Sequence, residues 1–484
     1  MYADENVIKI KHEVLYEVAK LAFAGELEEK REHLPYELIP GPTPQFRCCI
    51  YKEREIIRQR IRLAEGKTPD GRPEDNNIMQ VIPAACADCP ISSYTVTENC
   101  QNCAGKACIN ACKFGAIERG RHRSHIDAQK CKECGRCAQA CPYNAIAHLK
   151  RPCKFVCPVN AITYDEYGIS MIDPDKCIRC GKCVHSCPFG AIGTRSFFVD
   201  VIKNLMDENK KVYAMVAPAA EGQFGPGITI NSWKKAMTAL GFNDAYEVAL
   251  GADMTAASEA EEWAENYWEG KKMTTSCCPG FVNMIRLHYP ELLPHMSTTV
   301  SPMCALSRMI KSREPDAITV FIGPCIAKKS EVVDQQIEGN ADYVLTFSEV
   351  RALMRAKGIT LENDDTSCQE GSVYGKRFAS TGGVTAAVLQ AMKENDAACD
   401  PNVCKADGAA ECKKALLLLK AGKLSEDFIE GMACEGGCVA GPSSYNDANA
   451  TKRFREDLLS RADDRGIHAN IEGYHMENFS MHRE

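Results

Sequence analysis

No stretch of the 484 residues comes near 18 consecutive apolar positions, so no membrane-spanning helix is expected. The chain opens Met1-Tyr2-Ala3-Asp4-Glu5, without a basic region leading into an apolar one. A secretory signal is therefore not expected either, and a cytoplasmic protein is. Strong charge of one sign is also missing: 58 basic against 65 acidic side chains leave a net charge of −7, which points to neither nucleic acid nor an acidic tail. With 45% apolar and 25% charged residues, the composition is that of a folded globular protein with room for about three domains. What the chain has in excess is cysteine, 28 in all.

Sixteen of the 28 fall between Cys86 and Cys187. A disulfide scaffold would be short and secreted. In a long chain without a signal, C-x-x-C runs read as metal ligation, with structural zinc as the rival of iron–sulfur. An internal repeat separates the two. Cys100-Cys103-Cys108-Cys112 ends in K-F-G-A-I, and Cys131-Cys134-Cys137-Cys141 ends in P-Y-N-A-I. The shortened Cys153-Cys157 ends in P-V-N-A-I, and Cys177-Cys180-Cys183-Cys187 in P-F-G-A-I. The second and fourth resemble the bacterial ferredoxin run C-x2-C-x2-C-x3-C-P, whose fourth cysteine ligates the neighbouring cluster. A 4Fe–4S cubane takes three thiolates from one tight loop and one from elsewhere. The proline turns the chain away, and Ala-Ile is expected to pack over the dry side.

That crossing-over rule pairs Cys100, Cys103 and Cys108 with Cys141, and Cys131, Cys134 and Cys137 with Cys112. Cys177, Cys180 and Cys183 take Cys157. Cys153 and Cys187 are left over, and Cys86 and Cys89, at C-x-x-C spacing upstream, complete a fourth set by elimination. The adjacent Cys48 and Cys49 are the alternative contributors.

Ahead of the clusters, apolar residues recur at helical spacing from Val7 to Leu21, which predicts a helix over about 6–24. After the linker P-Y-E-L-I-P-G-P-T-P comes an arginine-rich helix over Tyr51–Ala64. No chemistry is assigned there, and a helical cap on the cluster domain is expected. Residues 100–154 carry eleven Lys and Arg (Lys106, Lys113, Arg119, Arg121, Arg123, Lys130, Lys132, Arg136, Lys150, Arg151, Lys154) against three carboxylates. Two compatible readings stand: charge balance for anionic clusters, or a docking patch for an acidic redox carrier. Nucleic acid is set aside because interleaved aromatic residues are missing.

Past about residue 208 the pattern alternates between strands and helices. K-V-Y-A-M-V-A-P-A, D-A-Y-E-V-A-L, A-I-T-V-F-I-G-P-C and Y-V-L-T-F read as short buried strands. Helices are expected between them, at Ser232–Leu240 and Glu259–Trp268 for example. The whole predicts three parts. A helical N-terminal segment spans 1–85 and an α+β bacterial-ferredoxin-like iron–sulfur domain 86–205. An α/β catalytic domain of two lobes with mainly parallel sheets spans 206–484. Functional groups in such folds lie off the carboxyl ends of strands.

Three stretches place cysteines there: M-T-T-S-C-C-P-G-F at 273–281, F-I-G-P-C-I-A-K-K-S-E at 321–331 and F-I-E-G-M-A-C-E-G-G-C-V-A-G-P at 428–442. With S-P-M-C-A and S-T-G-G-V-T-A-A-V-L, they resemble the signature motifs of iron-only (FeFe) hydrogenases, and the resemblance covers about 86–484. It implies an H-cluster: a 4Fe–4S cubane joined through a cysteine thiolate to a two-iron unit with carbonyl, cyanide and dithiolate ligands. By the match, Cys278, Cys325, Cys434 and Cys438 are the cubane ligands, Cys438 being the bridge. Cys277 is a proton-relaying thiol whose pKa its surroundings are expected to lower, and Lys328 hydrogen-bonds a cyanide. Met432 packs by the two-iron unit, and Pro218, Ala219, Met303 and Pro324 fall in the cofactor-pocket motifs. Glu259 and Glu262 match the carboxylates of a proton path, with Ser297 between Cys277 and Glu259. Cys304, Cys368, Cys399, Cys404 and Cys412 are expected to be ordinary thiols.

Three positions depart from the best-studied branch and place the chain near the divergent group B. Gly323 and Met303 replace a methionine and a glutamine, and Ala219 replaces a serine. These swaps are expected to strip bulk or hydrogen bonding from the pocket. The function implied is reversible reduction of protons to dihydrogen in an anaerobic setting. About four accessory 4Fe–4S clusters serve it, with a ferredoxin-like acidic carrier and the hydrogenase maturation proteins as partners; nucleic acid and membrane are not expected. The alternative is a dihydrogen-sensing or non-catalytic iron–sulfur protein of the same superfamily. The non-catalytic relatives lack the T-S-C-C-P pair and the lysine that are present here.

Overall fold

A computed structural model describes residues 5–73, 77–87, 89, 94–364, 369–397 and 399–483; Cys368 lies outside them. Two helices dominate the N-terminal segment, α1 (Glu5–Phe23) and α2 (Ile50–Ala64). The apolar stripe of α1 does not serve the cluster region as expected. Val14, Val18 and Ala19 bury themselves against Ile57 and Ile61 of α2 and against Val350, Leu353 and Phe198 of the region beyond. Ile56 and Leu63, on the other side of α2, pack with Met79, Val81 and Ile192. The segment is thus wedged between the other two parts, because α2 is apolar on two sides. No helix among the described residues is long and apolar enough to cross a membrane.

The cysteine-rich region is built from antiparallel two-stranded ribbons. Tyr94–Val96 pairs with Ile146–His148, Ile117–Arg119 with Ser124–Ile126, and Ile162–Tyr164 with Ser170–Ile172. Met79–Val81 pairs with Ile192–Thr194, which draws residues ahead of position 86 into this unit. In all four repeats the Ala-Ile pair (Ala116-Ile117, Ala145-Ile146, Ala161-Ile162, Ala191-Ile192) is buried, as expected. The alanine N–H of each donates to the sulfur four residues earlier, Cys112, Cys141, Cys157 or Cys187, at 3.2–3.4 Å.

Beyond residue 205 there are two parallel sheets. Strands β1 (Val212–Val216), β2 (Asp244–Glu247), β4 (Ile318–Gly323) and β5 (Tyr343–Thr346) form one, in the order β2-β1-β4-β5. Strands β3 (Met273–Thr274), β6 (Val403–Asp407) and β7 (Phe428–Met432) form the other, in the order β3-β7-β6. All pairs are parallel. One helix differs from expectation. The run D-A-Y-E-V-A-L leaves the sheet after Glu247, and α3 (Val248–Trp268) starts there, eleven residues before Glu259. Its first half is buried all round, Asp253 and Thr255 included, so periodicity has nothing to mark.

One buried ion pair locks the four-stranded sheet to the end of the cluster region. Lys329, 0% exposed, donates to Glu349 Oε1 at 2.7 Å and to the Arg195 carbonyl at 3.1 Å. Glu349 also accepts from Ser196 and from the Thr346 amide at the start of α4 (Phe347–Ala356). Burial alone would raise the Glu349 carboxyl; the Lys329 ammonium and the other donors outweigh it and hold the pKa below the usual range. The stability this contributes is present above the ordinary carboxylate pKa and is lost as pH falls through the depressed one. Lys329→Met strands a buried carboxylate and is expected to cost about 3–5 kcal/mol, whereas Lys329→Met with Glu349→Gln costs far less. Urea midpoints of the three proteins check this.

Candidate functional site

The two sheets point their carboxyl ends at a common cavity of about 90 Å³. Cys278 follows β3 and caps the helix Pro279–His288, Cys325 lies two residues past β4, and Cys434 two residues past β7. The chain reaches Cys438 through Gly436 and Gly437, both left-handed (φ +83° and +82°). At Gly437 a Cβ would lie 2.7 Å from the Ala379 carbonyl, so backbone passes here where a side chain could not. Cys277, Cys278, Cys325, Cys434 and Cys438 all line the cavity, and Lys328, Met303, Met432, Pro218, Ala219 and Pro324 complete much of its wall.

Burial raises the Cys325 thiol to about 11 and Cys438 to about 12, with neighbouring cysteines adding to the push. Cys434 and Cys277 are pushed up further by the same cause. The lowered pKa expected for Cys277 is therefore reversed: the thiol is deep, and the nearby Glu259 and Cys278 raise it further. Lys328 Nζ donates to Glu331 Oε2 at 2.6 Å and to Ser301 Oγ at 2.7 Å, an ion pair at the cavity wall rather than a solvated lysine. Position 323 does not leave the pocket empty. A Cβ there would come within 2.7 Å of the Phe321 ring, which occupies the space a larger side chain would need.

Four soft thiols set around one apolar void suit an iron–sulfur cubane, which takes one thiolate per iron corner.

A file of polar groups leads away from Cys277. Glu259, on α3, is 1% exposed, and neither carboxylate oxygen has a hydrogen-bond partner of good geometry. Burial raises its pKa to about 8, Glu262 adds to the rise, and Ser297 and the Ser276 amide pull weakly the other way. Ser297, expected between Cys277 and Glu259, lies by Glu259 and donates to Glu262 Oε2 at 2.6 Å. Glu262 also accepts from Thr298 N at 2.8 Å, and the Thr298 hydroxyl lies 2.8 Å from Nδ1 of exposed His482. Nothing in the sequence motifs pointed to Thr298 or His482; they reach this place through the isolated pairing of Thr299 with His482.

The accessory cysteines gather in sets. Cys112, Cys131, Cys134 and Cys137 line one small cavity, and Cys157, Cys177, Cys180 and Cys183 another. Cys89 is raised by burial, against the pull of Arg151, and is raised further by Cys86, Cys153 and Cys187 beside it. The Ser170 amide donates to Cys86 Sγ at 3.3 Å, and its hydroxyl lies 3.7 Å from Cys153 Sγ. Cys108 and Cys141 pack on the same small core as Cys112, Cys131 and Cys137, so that core joins cysteines of two of the assigned sets. Cys180 lies near Cys434, and Cys153 near Cys183, so two of the sets follow one another toward the central cavity. Cys48 is exposed and Cys49 half-buried, at the start of α2. Cys304 and Cys412 are fully buried as ordinary thiols, the latter donating to the Met432 carbonyl at 3.4 Å.

Of the eleven basic residues in 100–154, nine are exposed. Arg151 is not: it is buried, donates to the Gly168 and Cys89 carbonyls and lies over the Tyr164 ring.

Residues 210–442 match the family model for the C-terminal domain of the iron-only hydrogenase large subunit. Residues 147–198 match the LdpA Fe–S cluster-binding domain, and 124–147 a 4Fe–4S binding domain. The periplasmic [Fe] hydrogenase large subunit of Nitratidesulfovibrio vulgaris is 31% identical over 375 residues, covering 66% of this chain and 86% of its own. Iron hydrogenase 1 of Clostridium pasteurianum is 32% identical over 372 residues, 65% of this chain and 64% of its own, so the chain spans just under two thirds of that relative. The cytosolic Fe–S cluster assembly factor NAR1 of Kluyveromyces lactis is 25% identical over 256 residues, 38% of this chain and 55% of its own.

With a pKa of about 8, Glu259 is a neutral acid at pH 7. A carboxylic C=O infrared band should therefore persist at neutral pH, fade as pH rises through about 8, and be missing in Glu259→Gln. Such a group lowers stability progressively between the ordinary carboxylate pKa and about 8, so Glu259→Gln should be the more stable protein at pH 9. A band that fades near pH 4.5 would contradict the burial argument.

Proposed function

The chain belongs to the iron-only hydrogenase family, and from that premise we propose that it catalyses the reversible reduction of protons to dihydrogen. The observation that carries the proposal is the convergence of Cys277, Cys278, Cys325, Cys434, Cys438 and Lys328 on one apolar cavity. Cys278, Cys325, Cys434 and Cys438 would hold the cubane of an H-cluster, with Cys438 shared with its two-iron unit. Lys328, oriented by Glu331 and Ser301, would donate to a cyanide. Met303, Met432, Pro218, Ala219 and Pro324 close the wall and exclude water. When bound, the H-cluster supplies the iron at which protons and electrons combine.

The protein's own part is proton supply. Cys277 Sγ holds a proton because burial keeps it a thiol. Glu259 stands next outward, protonated at neutral pH, and can replace a proton that Cys277 gives up. Glu262, reached through the Ser297 hydroxyl, recharges Glu259, and Thr298 and His482 connect Glu262 to solvent. The four accessory sets would hold 4Fe–4S clusters in series. The exposed basic residues around the Cys131–Cys137 loop suit an acidic, ferredoxin-like carrier. The two-iron unit would come from dedicated maturation proteins.

A non-catalytic iron–sulfur role, which the likeness to the assembly factor favours, makes a different prediction. Protein produced with the maturation proteins should show carbonyl and cyanide infrared bands, and their absence would overturn the hydrogenase reading. Cys278→Ala should lose the central cubane. Cys277→Ala should keep iron and infrared bands but lose turnover by about 10²–10⁴, and Cys277→Asp should recover part of it. Near-normal turnover in Cys277→Ala would mean that protons arrive elsewhere.

Iron content tests the cluster sets separately. Full loading should give about 22 iron atoms per chain, and about 20 without the maturation proteins. An active sample with about 18 would remove the set formed by Cys86, Cys89, Cys153 and Cys187.

A further inference from the structure

A second cavity, of about 240 Å³, lies where the three parts of the chain meet and belongs to none of the chemistry above. One wall is α1, with Ile8, Lys11, His12 and Leu15, and a second is α2, with Arg60 and Leu63. The rest comes from His185 and Thr194 of the cluster region and from Arg351 and the stretch 442–445 of the catalytic region. Three cations and two histidines therefore face one space. The lining has a single carboxylate, Glu349, and that is already taken by Lys329, Ser196 and Thr346.

The cationic groups are under-partnered. Arg60 is 8% exposed; one of its terminal nitrogens donates to the Gly190 carbonyl at 2.8 Å, while its buried Nε has no partner. The buried Nδ1 of His12 has none either. Among the described residues Lys11 makes no hydrogen bond or ion pair. Lys11 and Arg60 converge at Gly190, where a Cβ would meet both side chains within 3.4 Å. Arg351 is fixed by lying 3.9 Å over the Tyr445 ring. Buried donors left open in this way carry a desolvation penalty that an anion would remove. Guanidinium and ammonium groups beside hydroxyls match a phosphate, and the space exceeds what a bare phosphate needs. The apolar wall of Ile8, Leu15, Leu63 and Val184 covers carbon.

We propose that this cavity binds a small organic phosphate, held through its phosphate by Lys11, Arg60 and Arg351, with its carbon part against α1 and α2. The N-terminal segment, which lies ahead of every matched family model, then has a function of its own: it closes a ligand site. The proposal does not depend on the hydrogenase reading.

The test is calorimetric titration of the full, cluster-loaded protein with adenosine monophosphate and with inorganic pyrophosphate. Loaded protein is needed because Cys187 stands beside Lys11 and Arg60, and any charge a cluster offsets must already be in place. Saturable binding of either phosphate at one site per chain is expected, with none of adenosine. Lys11→Gln and Arg351→Gln, on different helices, should each weaken binding about tenfold or more while keeping the natural melting temperature without ligand. No saturable binding of either phosphate overturns the proposal. Unchanged affinity in both variants does so too, because the ions would then be binding elsewhere.

Discussion

Removal of water from the space between the two sheets is the constraint on which the rest of the molecule depends. Thiols placed there stay protonated well above their ordinary range, Cys325 to about 11 and Cys438 to about 12. The four cysteines are therefore neutral as long as they keep their protons, and a ring of four bare thiolates does not have to be buried. The same desolvation makes Glu259 a neutral acid beside a neutral thiol, so neither group holds a lone charge in the interior at neutral pH. Where a charge must be kept, it is paired: Lys328 with Glu331 at the cavity wall, and Lys329 with Glu349 behind it.

That arrangement explains which parts could be read from the sequence. Strand carboxyl ends followed by Cys278, Cys325 and Cys434 are visible as apolar runs broken by proline and cysteine. The cluster repeats are visible because each reuses one frame, down to the buried Ala-Ile pair and its N–H···S bond. Features set by long-range packing were not legible. Gly323 read as lost bulk because nothing local shows that Phe321 turns into the vacated space. Arg151 read as part of a surface patch because composition does not reveal two carbonyls and a tyrosine ring waiting for it. Ser297 read as the link between Cys277 and Glu259, but between the isolated pairings at Met296 and Thr299 its hydroxyl turns to Glu262. The docking of α1 on the catalytic region was hidden for the same reason: an apolar stripe states that a face is buried, not what covers it.

The cysteine sets also differ in depth, and the order has a physical consequence. Cys134 is exposed, whereas burial raises Cys180 to about 11 and Cys183 further still, next to the central cage. The loop between them is pressed inward: at Gly181 a Cβ would lie 2.8 Å from both Ile326 and Pro442, neighbours of Cys325 and Cys438. Lys182 reaches across to Glu435 at 2.7 Å, close to Cys434. A unit charge at fixed distance acts more strongly as the effective dielectric falls, so protein charges bear least on a cluster at the surface and most on one held deep. The buried cations Lys11 and Arg60, brought beside Cys187 by helices of the N-terminal segment, are therefore placed where they count. That segment contributes no cysteine to the central cavity, yet its position lets it both close the junction cavity and bring Lys11 and Arg60 beside Cys187.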